Sequence, residues 1–243
     1  MKIRTLILAL VTLLFAFEGV TPQMIGENIK ATLLATKGGE ETSVEKAEYS
    51  VLAYCKSMLA KTDDEALKTL LSDLLVYGAA SQVYTGYKAD TLVTEGLDLT
   101  PSTFDGVTES DKALFGTADA RVSWKGVALR YENAMAMKLN FKADASLTLK
   151  VAINGRVFVY TAEDWETDAN GNSVVYFRGI LAGEYGDVVT ACFYDGDVQV
   201  GQYVIYSVNS YVYSMQENGN AALAALVQAT YNYGASAEDY AGK

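Results

Sequence analysis

The sequence predicts an α+β protein: an antiparallel β-sandwich followed by an α-helical hairpin, with a partial copy of the same unit ahead of it. Three observations carry this expectation. Segments within the first 90 residues return about 160 positions later. Residues 118–206 alternate apolar and polar side chains with period two. After Tyr49 and again after Tyr206 the spacing changes to that of a helix.

The recurrence is detailed. Phe17-Glu-Gly-Val20 returns as Phe177-Arg-Gly-Ile180, and Gly26 as Gly186. Tyr49-Ser-Val51 matches Tyr206-Ser-Val208, Met58 matches Met215, and Tyr77-Gly-Ala79 matches Tyr233-Gly-Ala235. The offset runs from 160 positions (Phe17 to Phe177) to 156 (Tyr77 to Tyr233), as expected when a few loop residues differ between fixed elements. A period this long indicates tandem modules of domain size. The expected organisation is an apolar segment at 1–16, a partial module at 17–87, a turn-rich linker at 88–117 and a complete module at 118–243. The complete module divides into a sandwich at 118–206 and a helical hairpin at 207–240.

In the partial module two strands lead to Tyr49, and Ser50 is placed to cap a short helix from Val51 to about Ala60. The next helix opens with Thr62-Asp-Asp-Glu65, which has capping-box spacing and an acidic first turn suited to the helix dipole. Leu67, Leu70, Leu71, Leu74 and Gly78 then form one apolar stripe. The complete module repeats this plan. Ser207 caps a helix from Val208 to about Met215, Asn218-Gly-Asn220 supplies the turn and cap, and the stripe is Leu223, Leu226, Val227, Thr230 and Gly234. Gly78 and Gly234 fall on the buried face, where glycine costs about 1 kcal/mol of helix stability against alanine, so close packing must need the space.

The sandwich strands are read from Val127, Leu129 and Tyr131; from Met135 to Phe141; and from Leu147 to Ile153. Asn154-Gly155 between alternating runs signals a type I′ hairpin, because both positions favour positive φ. A second hairpin is expected at Asp168-Ala-Asn-Gly-Asn172, with further strands near Tyr176, at Val188–Phe193 and at Val198–Tyr206. About seven or eight short strands without intervening helices suggest an Ig-like sandwich.

The net charge of −11 supplies no basic stripe for nucleic acid and disfavours anionic membrane surfaces. Histidine is absent, which removes the commonest general base and metal ligand. Cys55 and Cys192 occupy different slots of the repeat and are expected as buried free thiols. Lys2, Arg4 and the apolar run from Leu6 to Phe17 have the charged and apolar parts of a signal peptide, but no pair of small residues marks a cleavage site. The run is also short for a membrane span. Alternatively, Leu14–Phe17 aligns with Val174–Phe177 and is a strand of the truncated module.

Phe17, Gly19, Gly26, Tyr49, Ser50, Val51, Tyr77, Gly78, Ala79 and Ala80, with their counterparts in the second module, form a pattern. It resembles a repeat module of large exported proteins from clostridial gut and rumen bacteria. The resemblance implies a secreted or cell-surface setting and a non-catalytic role in spacing, displaying or attaching other parts.

Candidate chemistry is sparse. Glu163, Asp164, Glu166 and Asp168 crowd round Trp165, but consecutive carboxylates point to different faces and do not straddle a sugar bond as a glycosidase pair must. Asp168, Asn170 and Asn172 have the first three spacings of a calcium loop, yet Gly179 stands where the bidentate glutamate belongs. An Asn-Gly turn is the better reading, and no cofactor is expected. Trp165, Tyr160 and Tyr176 lie around one hairpin, and a coplanar set there, with Asp168 and Asn170 as polar partners, would bind polysaccharide. Exposure of these rings on one plane distinguishes that alternative from core packing. Another protein module is a further expected partner. The truncated first module would leave strand edges open for pairing with a second chain.

Overall fold

The computed structural model describes residues 28–37, 40–86, 110–131 and 135–242. The apolar segment 1–16, the motif residues Phe17, Gly19 and Gly26, and most of the expected linker lie outside the described residues.

The chain is α+β. It begins with β1 (Asn28–Lys37) and β2 (Glu40–Ser50), an antiparallel pair to which no third strand is added among the described residues. Helices α1 (Val51–Leu59) and α2 (Glu65–Thr85) follow. Next come β3 (Ala113–Phe115), β4 (Val122–Tyr131), β5 (Met135–Ala143), β6 (Thr148–Ile153), β7 (Arg156–Tyr160), β8 (Glu166–Thr167), β9 (Ser173–Phe177), β10 (Val189–Asp195) and β11 (Val198–Tyr206). Helices α3 (Val208–Met215) and α4 (Ala221–Ala241) close the described chain.

Strands β3 to β11 form two antiparallel sheets, one five-stranded in the order β3-β11-β10-β6-β7 and one four-stranded in the order β4-β5-β9-β8. This exceeds the seven or eight strands expected. The three-residue β3 lies inside the stretch read as linker, where its one alternation is hidden by turn-forming neighbours, and it pairs with β11 through Leu114 and Val204.

Period-two patterning fills the space between the sheets. Met137, Leu139 and Phe141 of β5 and Phe177 of β9 meet Leu149, Val151 and Ile153 of β6 and Phe193 of β10, all buried. Phe141 meets Phe193 edge to face at 4.9 Å, and Phe158 meets Phe177 at 5.0 Å. Such pairs contribute about 0.5–1.5 kcal/mol beyond the area they bury. Trp124 joins the cluster 5.4 Å from Phe193, and its Nε1 donates to the Gln202 carbonyl at 2.7 Å. The turn between β6 and β7 has φ of 49° at Asn154 and 75° at Gly155, the left-handed pair expected of a type I′ turn.

Both helical stripes are buried as spaced: Leu67, Leu70, Leu71, Leu74 and Gly78 in α2, and Leu223, Leu226, Val227, Thr230 and Gly234 in α4. Ser207 caps α3, accepting from the Ser210 N–H at 2.9 Å, and Asn220 caps α4 through the N–H groups of Ala222 and Leu223. The cap of α2 differs from the expectation at Thr62. Asp64 is the cap and accepts from the Leu67 N–H at 3.2 Å, while Thr62, two residues earlier, accepts from the Asp64 N–H. A carboxylate at the start of the helix uses its charge on the dipole as well as its lone pair, which favours Asp64 over the hydroxyl.

Residues matched by the recurrence occupy matched backbone positions. Ile29 pairs with Tyr49, and Val189 with Tyr206. The ladder shifts register after Ala31 in β1 and after Ala191 in β10. Cys55 and Cys192 are free and buried, and burial pushes the Cys55 thiol up to about 12.

Candidate functional site

The hairpin from residue 160 to 176 carries the residues that the sequence marks for sugar binding. In β9, Val175 and Phe177 point into the core, so Tyr176 between them faces outward from the four-stranded sheet, opposite Lys138 and beneath Arg178 at 5.7 Å. Trp165 lies on the other side. Its ring stands edge to face with Phe141 at 5.1 Å and Phe193 at 6.1 Å, and its Nε1 is buried. Tyr160, at the end of β7, is also half-buried against the core. The three rings therefore share no exposed plane. Packing explains the difference: a ring beside Phe141 and Phe193 removes more apolar surface from water by turning inward than by lying flat outside.

Asp168 is equally occupied. Its carboxylate accepts from the N–H groups of Asn172 and Asn170, each at 2.9 Å, and from the Asn140 amide at 2.8 Å and the Asn172 amide at 3.2 Å. These donors, led by the Asn172 N–H, hold its carboxyl well below the usual carboxylate range. Its lone pairs close the turn, with Gly171 at φ 71°, and Asn170 is exposed at the tip. No cluster of three or more potential metal ligands occurs among the described residues. Asp164 closes its own short turn, accepting from the Thr161 N–H at 2.8 Å, while Glu163 and Glu166 are exposed.

A second concentration of polar chemistry, which the sequence did not single out as a site, lies where the helices meet. Tyr77 of α2 stacks on Tyr233 of α4 with centroids 5.4 Å apart and planes 18° from parallel. Tyr185 meets Tyr233 edge-on at 6.1 Å. A Cβ on Gly234 would stand 2.7 Å from the Tyr185 ring, so this glycine admits the tyrosine to the helix surface. Tyr131, at the end of β4, lies 6.4 Å from Tyr84 and 6.0 Å from Tyr211, and shares a hydrogen bond of 3.2 Å with the Thr230 hydroxyl. Burial pushes the Tyr77 phenol up to about 12 and raises those of Tyr131, Tyr185 and Tyr233 as well.

The turn that presents Tyr185 is held by a buried carboxylate. Glu184 pairs with Arg156, accepts from the Leu181 N–H at 2.9 Å and accepts from the Asn154 amide at 3.1 Å. Asn154 also donates to Asp187 at 2.7 Å. Sequence reasoning used Asn154 only as a turn residue and passed over Glu184. The available signal was its place directly before Tyr185-Gly186, inside the recurring motif.

The described residues thus define an α+β protein of two facing antiparallel sheets with helices packed on one another. Comparison with protein families, curated proteins and solved structures finds no match for the chain. Among the described residues no helix is long and apolar enough to cross a membrane.

Proposed function

We propose that the chain holds two modules of one design, an Ig-like sandwich with its helical hairpin preceded by the final two strands and hairpin of another. On this reading it serves as a non-catalytic spacing or display segment of an exported bacterial surface protein. The observation that carries the reading is the stacking of Tyr77 on Tyr233, which brings corresponding residues of the two hairpins together. The common ladder register at Ile29–Tyr49 and Val189–Tyr206 supports it, as does the motif's resemblance to surface-protein repeats.

The motif residues of the complete module serve packing. Gly179 leaves room for the rings of Phe158 and Phe177, which a Cβ would approach to 2.6 Å. Phe177, Ile180, Tyr206 and Val208 are buried, and Ser207 caps α3 and donates to Asp111 at 3.2 Å. A module whose recurring residues join sheet, turn and helix transmits load between its ends without needing a ligand.

Affinity electrophoresis through gels containing plant and host polysaccharides tests the reading, with Trp165→Ala run alongside. Unchanged mobility of both proteins is expected. Retardation of the native chain that Trp165→Ala abolishes would replace it with carbohydrate binding at the 160–176 hairpin.

A further inference from the structure

If two hairpins face each other about a two-fold axis, a residue near the axis meets its own counterpart, and every off-axis contact has a mate. Tyr77 and Tyr233 correspond in the recurrence and stack on each other, which places them at the axis. Tyr54 corresponds to Tyr211, and Tyr84 to Tyr240. The phenols of Tyr54 and Tyr240 lie within electrostatic reach of one another, and so do their counterparts Tyr211 and Tyr84. Asp73 is hydrogen-bonded to Ser236; their counterparts in the recurrence are Ala229 and Ala80, of which Ala229 is buried. The contact is therefore pseudo-isologous: corresponding positions face each other, with different residues at Asp73/Ala229 and Ser236/Ala80, and an arrangement of this form closes into pairs rather than fibres.

We infer that the helical hairpin is a self-pairing element, and that the Tyr233 face of α4 binds the α4 face of a second copy of this chain whenever α1–α2 does not cover it. The inference rests on the two-module reading but not on a display role; retardation in polysaccharide gels would remove that role and leave the pairing to be decided separately.

The face is suited to that partner. Around Tyr233 the side of α4 turned to α2 presents Ser236, which meets Asp73, and the corresponding position Ala229, both buried and uncharged, so two copies meet without opposing like charges. Within one chain the tether favours α1–α2, which keeps the intact protein monomeric at low concentration.

Two experiments on the whole chain test this. In the first, a sequence-specific protease site is placed after Gly96, and the folded protein is cut. Isotope-labelled and unlabelled samples are then mixed and followed by native mass spectrometry. The C-terminal fragment should appear in homodimers as well as with its N-terminal half, making up roughly a quarter of all pairs if the three pairings are equally strong. Tyr233→Glu should remove those homodimers. A C-terminal fragment that is monomeric whenever it is apart from its half overturns the inference, and so do halves that never exchange.

The second experiment leaves the chain uncut. Ala229→Asp places a carboxylate opposite Ala80 and should lower the urea midpoint, and Ala80→Ser added to it should restore at least half of the loss by recreating the Asp73–Ser236 contact at its mate. Absence of any recovery would show that the contact has no two-fold mate and would overturn the inference.

Discussion

The space between the sheets and the space between the helices are both closed by aromatic rings, but of different kinds. Between the sheets the rings are Phe141, Phe158, Phe177 and Phe193 with Trp124 and Trp165. Between the helices, and where they meet the sandwich, they are Tyr77, Tyr84, Tyr131, Tyr185, Tyr211 and Tyr233. Phenylalanine packing is indifferent to pH. A buried phenol adds a hydroxyl that must stay neutral, so the helical contact carries a dependence on pH that the phenylalanine and tryptophan rings between the sheets lack.

The largest effect should come from breaking the sandwich. Phe141→Ala removes the ring shared by Trp124, Trp165 and Phe193 and should cost about 3–5 kcal/mol in urea unfolding, with the same loss at pH 7 and pH 9.

Alkali should act on the other region. Tyr77 has an ordinary value of 10.0 when unfolded and is pushed up to about 12 by burial, and Tyr131, Tyr185 and Tyr233 are raised in the same direction. The unfolded chain therefore releases protons that the folded chain still holds. Stability is fully present below pH 10 and declines as pH rises from 10 towards 12. The urea midpoint should fall across that window, and tyrosinate absorbance should rise together with unfolding. Tyrosinate that forms fully at pH 10 in the folded protein would contradict the burial of these phenols.

Gly234→Ala sharpens the comparison at one atom. The added Cβ meets the Tyr185 ring at 2.7 Å, and overpacking of this kind costs about 1–3 kcal/mol. Gly155→Ala is a useful contrast, because a Cβ there meets nothing within 4 Å and only the positive φ opposes it. The smallest effect is expected from Ser207→Ala. Loss of the cap should cost about 1 kcal/mol and show as faster amide exchange at Ser210.

Much of the fold was legible because its signals are local. The stripes of α2 and α4, the caps at Ser207 and Asn220, and the Asn154-Gly155 turn depend on residues a few positions apart, and each stands where the spacing placed it. The candidate sugar site was not legible in the same way. Trp165, Tyr160 and Tyr176 are neighbours around one hairpin, but whether a ring lies in or out depends on what stands opposite it. For Trp165 that is Phe141 and Phe193, from two different strands.

The sequence by itself determined the helices and most of the strands, the Asn154-Gly155 turn, the buried faces of α2 and α4, and the recurrence of residues 17–79 at 177–235. Tertiary structure alone decided that β3 joins the five-stranded sheet, that Glu184 is buried beside Arg156, and that Tyr77 lies on Tyr233. The physical reason is range. Backbone propensity and periodicity act over a few residues, whereas the burial of a ring or a carboxylate is fixed by partners that the chain brings together from far apart in sequence.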